Sequence, residues 1–308
     1  MCRLSFIVPI YNVELYIEEC IRSLYDQDIP YDEYEVICVD DCSPDNSRLV
    51  VESLLKEYPT LKLVCHDRNK KLGGARNTGL QYAIGKYIWF VDSDDYVYSN
   101  VLHLLLDTAE SNALDILQFN HVRDVAHIIN DLQFSEIMNG EMYLFGNLSR
   151  EWFHKIGGAW KQLFSRDFLE KIRLKYIEDA MYEDTDYLLH AFLLAKRVQY
   201  ISTNAYHYRT NYESITKTSM SPIKLAWRVN LMVRCAQLVN IAQSNIAQVT
   251  INEMVSNTLS QLRNELKCFS LKQKMDYTSY LSTNVNKCRD MMTWRTWLAL
   301  RYGITWFI

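Results

Sequence analysis

Short apolar runs alternate with amphipathic segments along the first hundred residues of the chain. The runs that predict buried strands are Leu4–Ile10, Tyr34–Val39, Leu61–Cys65 and Tyr87–Val91. Between the runs, apolar residues recur at helical spacing, as they do at Ile17, Cys20, Ile21 and Leu24. This alternation, with its short connections, predicts an α/β fold in which a mostly parallel sheet carries helices on both faces.

Capping and turn residues predict where these helices begin and end. Asn12 is placed to cap the first helix, and Pro44-Asp45 turns the chain into the second. Gly73 and Gly74 open the third helix, and Gly85 closes it. Each predicted helix thus begins within a few residues of the preceding strand.

The pattern changes after residue 95. It predicts a helix at Val101–Ala109, a strand at Leu114–Arg123, helices that begin near Asp167 and at Glu183, and a strand over 198–210. Residues 125–150 show no regular pattern. From residue 221 onward the periodicity is helical throughout, at Ile223–Ala242, Thr250–Phe269 and Leu271–Cys288. We therefore predict two units, a sheet-containing unit over 1–220 and an α-helical C-terminal region over 221–308.

Composition indicates a globular protein, since 49% of the residues are hydrophobic and only nine are glycine. The sequence contains no run of eighteen apolar residues, so no ordinary membrane-spanning helix is predicted. The apolar part of the N-terminus is too short for a signal peptide. Eight scattered cysteines without a C-x-x-C pair predict reduced core residues, and hence a cytoplasmic protein.

Charge is distributed unevenly between the two predicted units. Residues 1–220 contain 22 Lys and Arg against 33 Asp and Glu, whereas residues 221–308 contain 11 against 4. The end of the chain, from Trp294 to Ile308, mixes tryptophans with arginines. Two interpretations stay open: the segment lies peripherally on the inner face of the cell membrane, or it docks on the first unit or on a second subunit of a homo-oligomer. No nucleic-acid partner is expected.

The segment YIWFVDSDD, at residues 87–95, places three carboxylates directly after a buried strand. Asp92, Asp94 and Asp95 repel one another at this spacing, and a bound divalent cation would compensate that repulsion. The alternative is an acidic turn that only caps the next helix.

Polar residues follow every one of the four predicted strands. They are Tyr11-Asn12, Asp40-Asp41, Asp67-Arg68 and the acidic group Asp92 to Asp95. In an open α/β sheet the carboxyl ends of the strands form the edge at which ligands bind, so we predict a ligand there. The sequence contains neither a G-x-G-x-x-G after the first strand nor a P-loop, which argues against the common nucleotide-binding motifs.

Two further segments allow more than one interpretation. The glycine-rich segment around Arg76 could approach a diphosphate, or it could be a tight helix start with a surface arginine. Glu183 and Asp184 open a helix, where carboxylates often serve only as partners of the helix dipole.

Seven blocks in order resemble family 2 glycosyltransferases with the GT-A fold, most closely bacterial enzymes that build surface polysaccharides. The blocks are PIYN, VDDCSPDNS, GGARNTGL, FVDSDD, WKQLF, YEDTDY and YHYRTNYESIT, and the resemblance covers about residues 3–217. Cys42 stands where that family commonly has glycine, which is expected to alter the turn without removing a ligand.

The resemblance implies a role for each matching residue. The nucleoside of a sugar nucleotide would be held by Pro9, Tyr11, Asn12, Asp40 and Asp41, with Asp67 at the same edge and Arg76 beside the nucleotide or its sugar. The D-x-D element of Asp92, Ser93 and Asp94 would contact ribose and a divalent cation, with Asp95 and His207 as further metal ligands. Trp160 and Lys161 would line the sugar or acceptor pocket, and Arg209 and Ser214 would face the diphosphate. Asp184, next to Glu183, would be the catalytic base.

The implied activity is an inverting transfer that depends on Mn²⁺ or Mg²⁺. The expected donor is a UDP-hexose or a UDP-N-acetylhexosamine, and the expected acceptor is a hydroxyl of a glycan, carried on a lipid. Glycoside hydrolysis also uses two carboxylates but needs no nucleotide site. A sugar-nucleotide pyrophosphorylase would need a glycine-rich loop after the first strand. A non-catalytic module that binds a nucleotide or Mg²⁺ would need no second carboxylate pair at Glu183-Asp184.

Overall fold

The computed structural model describes residues 1–123, 132–146, 157–178, 180–209 and 221–277. The strands are β1 (Leu4–Ile10), β2 (Tyr34–Asp40), β3 (Leu61–Cys65), β4 (Tyr87–Phe90), β5 (Tyr96–Val97), β6 (Ile116–Arg123), β7 (Gln162–Ser165) and β8 (Val198–Tyr208). The helices are α1 (Ile17–Tyr25), α2 (Ser47–Leu54), α3 (Lys71–Tyr82), α4 (Leu102–Ser111), α5 (Gly140–Phe145), α6 (Arg166–Ile172), α7 (Glu183–Leu194), α8 (Pro222–Leu238) and α9 (Asn245–Lys267).

All eight strands form one sheet in the order β3-β2-β1-β4-β7-β6-β8-β5. Strands β1 to β4 are parallel, and β6 and β8 run in the same direction because β7 pairs antiparallel with both β4 and β6. Strand β5 is antiparallel to β8. Six strands therefore point one way and two the other, which confirms the predicted mostly parallel sheet.

The strands form where they do because both faces of the sheet are covered by apolar side chains. Along β1, Phe6 and Val8 belong to one hydrophobic cluster, whereas Ile7 belongs to the other. Residues of α1, α2 and α4 pack in the first cluster, and residues of α3, α5, α6, α7 and α8 pack in the second. Continuous apolar runs suit a strand that is buried on both faces, so helices on both faces are confirmed.

The predicted strand boundaries agree with the structure within two residues, but several predicted helix boundaries are wrong. Helix α8 ends at Leu238 rather than at Ala242, and α9 begins at Asn245 rather than at Thr250. Asn12 does not cap α1, because the chain first makes a turn in which the N–H groups of Tyr16 and Ile17 bond to Val13 O. Gly73 and Gly74 lie inside α3, which begins at Lys71 and ends at Tyr82, before Gly85. The short strands β5 and β7 and the helix α5 were not predicted.

The C-terminal helices share a hydrophobic core with the sheet. Leu225, Val229 and Cys235 of α8 are buried in the same cluster as residues of β1 and α7. Arg234 Nη2 donates to Asp186 Oδ2 over 2.9 Å and so joins α8 to α7. Residues 271–277 are also helical, which agrees with the predicted helical region, and the tail from Trp294 to Ile308 lies outside the described residues. None of the described helices is long and apolar enough to cross a membrane.

Candidate active site

Polar side chains from seven strands meet at one edge of the sheet. It is the edge at which β1, β2, β3, β4, β6 and β8 end and β7 begins. Helices α3 and α7 contribute to the same edge, since Arg76 of α3 bonds both to Asp92, just after β4, and to Glu183 at the start of α7. The residues predicted to bind a ligand therefore share one region.

Arg76 is at the centre of this region and is fully buried, so the interpretation as a surface arginine is wrong. Its Nη2 donates to Asp92 Oδ1 over 2.8 Å, and its Nη1 donates to Glu183 Oε1 over 3.0 Å. The same Nη1 also donates to Asp184 Oδ1. The guanidinium carbon lies 5.1 Å from the centroid of the Tyr176 ring. One guanidinium thus joins the D-x-D segment to the Glu-Asp pair.

The charges in this cluster do not balance. Burial alone would lower the pKa of Arg76, but Asp184 and the other carboxylates raise it well above its ordinary value, so Arg76 stays cationic. Burial raises the pKa of Asp92 to about 6; Arg76 acts to lower this pKa, and Asp184 acts to raise it. Burial and the adjacent Asp184 also raise the pKa of Glu183. Three carboxylates around one guanidinium create the excess negative charge that a divalent cation would relieve.

Backbone geometry presents the Glu-Asp pair to the edge. Tyr182, the residue before α7, has φ 64°, which is rare for a residue with a side chain. Strained backbone of this kind is common at functional sites. The Ala159 N–H donates to Asp184 Oδ2 over 3.3 Å, so both carboxylate oxygens of Asp184 have a protein donor. The Asp184 side chain is nevertheless 24% exposed, whereas that of Glu183 is 8% exposed.

Two hydrogen bonds from β8 and the residue after it hold the Asp95 carboxylate in place. Its Oδ2 accepts a hydrogen bond from the Tyr206 hydroxyl over 2.6 Å, and its Oδ1 accepts one from the Arg209 N–H over 2.7 Å. The same Tyr206 oxygen accepts from the Asp92 N–H over 3.2 Å. Burial, with Asp92 and Asp94, raises the pKa of Asp95 to about 8. Of the acidic group, Asp94 is partly exposed, while Ser93 and Asp95 are buried.

His207 and Arg209 lie beside the acidic group, at the end of β8. The His207 ring stacks on Tyr96, with centroids 4.4 Å apart, and its Nδ1 is 3.1 Å from the Tyr98 hydroxyl. The guanidinium of Arg209 lies 5.1 Å from the Tyr96 ring, and its Nη2 is 2.7 Å from Glu19 Oε2. The roles of His207 as a metal ligand and of Arg209 toward a diphosphate stay predictions.

A second hydrogen-bonded network lies at the ends of β2 and β3. Asp41 Oδ1 accepts from the Lys70 N–H over 2.7 Å and is 2.7 Å from His66 Nδ1. The other ring nitrogen of His66 is 2.8 Å from the Thr78 hydroxyl. Asp40 Oδ1 accepts from the Ser43 N–H over 3.3 Å. The two adjacent aspartates are therefore buried and fixed in place.

The residues around this network differ in exposure. Pro9 is buried within β1, whereas Tyr11 is half exposed and Asn12 adopts φ 56° in the turn that follows. Asp67 is exposed just after β3. Cys42 has φ 62°, the left-handed conformation that glycine adopts without strain. These positions fit the predicted nucleoside site, whose assignment stays a prediction.

Aromatic rings cover the edge where β6, β7 and β8 meet. The buried Trp160 stacks on Tyr206, with centroids 4.6 Å apart, and also contacts His121 at 4.8 Å and Tyr208 at 5.4 Å. Trp160 O accepts a hydrogen bond from the Trp89 ring over 2.8 Å, which fixes this turn on the sheet. Lys161 follows Trp160 and is also buried. Both residues lie at the edge, and their role in the sugar or acceptor pocket stays a prediction.

The carboxylates of the acidic group do not form a complete metal site by themselves within the described ranges. Within the described ranges, no three His, Cys, Asp or Glu side chains are grouped closely enough to hold a metal ion by themselves. Cations such as Mg²⁺ are usually bound by one or two carboxylates together with substrate phosphates and water. The roles of Asp92, Asp94 and Asp95 as metal ligands therefore stay predictions, and Ser214 lies outside the described residues.

Sequence reasoning missed several residues of the site. Tyr206 contacts both Asp92 and Asp95, and the alternation along β8, which places Tyr206 and Tyr208 on one face, was an available signal. The contact of His121 with Trp160 had no local signal, because it joins strands that are distant in the sequence.

Comparisons with known proteins agree with this arrangement. The family model described as Glycosyl transferase family 2 matches residues 5–173, which is more than half of the chain. The uncharacterized glycosyltransferase EpsJ of Bacillus subtilis (strain 168) is 34% identical over 223 residues, covering 71% of this chain and 64% of EpsJ. The chain thus spans less than two thirds of that relative. The poly(ribitol-phosphate) beta-N-acetylglucosaminyltransferase TarS of Staphylococcus aureus (strain Mu50 / ATCC 700699) is 30% identical over 217 residues, or 69% of this chain and 36% of TarS.

Solved structures show the same fold. The structure of S. aureus TarS 1–349 in complex with UDP-GlcNAc superposes with a TM-score of 0.70 at 21% identity, covering 98% of this chain and 87% of that one. The mannosyltransferase PcManGT from Pyrobaculum calidifontis, in complex with GDP-Man and Mn²⁺, gives a TM-score of 0.57 at 17% identity, over 97% and 84% of the two chains. The predicted GT-A fold is confirmed, and with a family model that matches residues 5–173 the chain belongs to glycosyl transferase family 2.

Proposed function

We propose that this protein is an inverting glycosyltransferase that moves a sugar from a UDP-hexose or UDP-N-acetylhexosamine donor to a hydroxyl of a glycan acceptor. The observation that supports it best is the Arg76 contact, which brings the D-x-D residue Asp92 and the proposed base Asp184 onto one guanidinium. A UDP donor is supported by the fold shared with TarS, whose solved structures contain UDP and UDP-GlcNAc.

A divalent cation, Mn²⁺ or Mg²⁺, is part of the proposal. Asp92 and Asp94 offer the oxygen ligands that these cations prefer, at an edge with excess negative charge. Both oxygens of Asp95 already accept protein hydrogen bonds, so we assign Asp95 to positioning the turn rather than to direct ligation. The cation, when bound, would neutralise the negative charge that develops on the departing diphosphate.

Asp184 is the proposed general base. Arg76 holds its Oδ1, whereas among the described residues its Oδ2 has only the long 3.3 Å contact with the Ala159 N–H and so can accept a further proton. The acceptor hydroxyl would give its proton to Oδ2 while its oxygen bonds to the anomeric carbon and the bond from that carbon to the diphosphate breaks. Displacement from the face opposite the leaving group inverts the anomeric centre.

The nucleoside would lie at the ends of β1 and β2. Tyr11 offers an exposed ring for stacking, and Asp41 has one carboxylate oxygen fixed by His66 and Lys70. The other oxygen of Asp41 can then accept an N–H group of the nucleobase. This division of labour leaves the acidic group for the diphosphate and Asp184 for the acceptor.

Replacing Asp184 with Asn tests the mechanism. We expect the rate of transfer to fall by about 10² to 10⁴, the usual contribution of a general base, while the Kd for UDP stays unchanged. Asp167→Asn, which alters an exposed carboxylate in the first turn of α6, is the matched control. Full activity in Asp184→Asn would refute the assignment. Binding of UDP without turnover of any donor by the unaltered protein would instead favour a non-catalytic nucleotide- or Mg²⁺-binding module.

The acceptor is proposed to be a lipid-linked intermediate of a surface polysaccharide, used at the cytoplasmic face of the cell membrane. Relatives such as the minor teichoic acid biosynthesis protein GgaB of B. subtilis support a surface-polymer pathway. The aromatic and basic tail, Trp294 to Ile308, would provide peripheral contact with the membrane. Deleting it and fractionating cells tests this. An unchanged membrane fraction would favour docking of the tail on the protein or on a second subunit.

A further inference from the structure

Lys161 is a largely buried lysine for which the described residues supply no counter-charge. The residue is only 9% exposed. Among the residues that the structure describes, no hydrogen bond or ion pair involves its ammonium group, and its long side chain runs past Gly157 instead of reaching a carboxylate. Lysine side chains with so little exposure are usually paired, because burial removes part of the hydration of the charge, and burial accordingly lowers the pKa of Lys161. A ligand with negative charge would supply the missing partner.

Two more cationic or donor groups lie around the same aromatic surface. His121 packs edge-on against Trp160, and its Nδ1 is buried with no hydrogen-bond partner in the described part of the chain. Arg123, two residues further along β6, places its guanidinium 4.8 Å from the Tyr208 ring. Because Trp160 and Tyr208 are themselves in contact, with centroids 5.4 Å apart, Lys161, His121 and Arg123 form one basic cluster around these rings. Burial, with Lys161 and Arg123 acting in the same direction, lowers the pKa of His121 to about 4.

This basic cluster lies next to the proposed base. Ala159, two residues before Lys161, donates its N–H to Asp184 Oδ2. The acidic group contacts a different ring of the same surface, since Trp160 stacks on Tyr206 and the Tyr206 hydroxyl bonds to Asp95 and Asp92. A group bound at Lys161 would therefore sit on the side from which the acceptor approaches.

We propose that Lys161, His121 and Arg123 form a subsite for an anionic group of the acceptor, a phosphate or a carboxylate near the hydroxyl that is glycosylated. This inference rests on the proposed function, because it assigns the acceptor side from the position of Asp184. Lys161 binds the anion directly, neutral His121 donates a hydrogen bond to it, and the ring of Trp160 packs against the adjacent sugar or polyol.

The donor diphosphate is the competing source of negative charge, and the geometry argues against it. A diphosphate belongs beside Asp92 and Asp94, where a cation can bridge it to the protein. Lys161 instead follows the turn whose Ala159 N–H donates to Asp184 Oδ2. If Lys161 binds the donor diphosphate, loss of its charge should weaken binding of UDP. If it binds the acceptor, the loss should weaken binding of the anionic acceptor probes.

Titrations with paired probes test the proposal. Glycerol 3-phosphate is compared with glycerol, and D-glucuronate with D-glucose, each by ligand-observed NMR with and without saturating UDP. We expect the anionic member of at least one pair to bind about 10- to 100-fold more tightly than its neutral partner, as a charge-assisted hydrogen bond implies. Lys161→Met should abolish the preference, and Lys161→Arg should restore part of it. Lys171→Met, on the exposed surface of α6, should leave the preference intact.

Each outcome distinguishes between the possibilities. A preference for only the phosphate or only the carboxylate probe identifies the source of the anion and supports the subsite. No anion preference in the unaltered protein, or a preference that survives in Lys161→Met, overturns the proposal. A weaker Kd for UDP in Lys161→Met, with the probe preference unchanged, assigns Lys161 to the diphosphate instead. Failure of the unaltered protein to bind UDP would count against the proposed function alone, since the titrations without UDP still report on the anion subsite.

Discussion

Replacing Arg76 with Met is expected to destabilise the protein and to do so through the carboxylates that it joins. Methionine has a similar length and no charge, so the change leaves Asp92, Glu183 and Asp184 together in a buried pocket without their cation. Removing one partner of a buried ion pair typically costs about 3–5 kcal/mol. Because Asp92 and Asp184 are each about a quarter exposed, water can solvate them in part, and we expect the lower end, about 3 kcal/mol.

A double-mutant cycle makes this expectation specific. The double variant Arg76→Met/Asp184→Asn has one unpaired carboxylate fewer than Arg76→Met. Adding Asp184→Asn should therefore restore part of the lost free energy of unfolding, with a coupling free energy of about 1–2 kcal/mol. Unfolding is followed in urea rather than in guanidinium chloride, because a salt would screen the charges that are being measured. Arg48→Met is the control, since within the described ranges Arg48 pairs only with the exposed Glu52, and loss of that pair should cost under about 0.5 kcal/mol.

A loss below about 1 kcal/mol in Arg76→Met, or a coupling free energy near zero with Asp184→Asn, would refute the central role of this guanidinium. The same variants separate positioning from folding. If Arg76 orients Asp184, then Arg76→Lys, which keeps the charge but not the fork of donors, should lower kcat more than it raises KM for the donor.

Two more variants test the support of the acidic group and of the turn after β2. Tyr206→Phe removes the hydroxyl that bonds to Asp95 and Asp92, and should lower the free energy of unfolding in urea by about 1–3 kcal/mol. The buried hydroxyl of Tyr34 has no partner among the described residues, so Tyr34→Phe should leave the free energy of unfolding unchanged. Equal effects of these two changes would show that the Tyr206 hydrogen bonds add no stability. Cys42→Gly should raise the free energy of unfolding by about 0.5–1 kcal/mol, because relief of the left-handed strain at φ 62° exceeds the entropic cost of glycine. Cys42→Ser keeps the strain and should give no gain. An equal gain in both variants would contradict this reason.

Local patterns predicted the sheet well because its strands are short apolar runs that are buried on both faces. Leu4–Ile10 and Leu61–Cys65 were predicted with the bounds that the structure has. The start of α1 was missed because its entry depends on distant partners: the Val13 N–H donates to Ser47 Oγ, which holds residues 13–16 in a turn instead of a helix. Capping signals report only local preferences, and tertiary contacts override them.

The candidate site was predictable where the chain order alone brings residues to the ends of strands, as for Asp41 and Asp92. What could not be predicted was which residues touch. From the sequence, Arg76 could either contact a diphosphate or be a surface residue. In the structure it is buried among three carboxylates from two segments. Asp95 was expected close to the metal, and its hydrogen bonds to Tyr206 and Arg209 depend on the antiparallel pairing of β5 with β8, which no local pattern revealed.

The central claim is that this edge of the sheet binds a nucleotide sugar and transfers its glycosyl group with the help of a divalent cation. The most direct measurement is release of UDP from a panel of UDP-hexoses and UDP-N-acetylhexosamines by the full chain, with Mn²⁺ and with EDTA. The account predicts that at least one donor is turned over with Mn²⁺, that EDTA abolishes the release, and that Asp94→Ala lowers it by at least about 100-fold. Absence of UDP release and of UDP binding with every donor, with or without Mn²⁺, would contradict it.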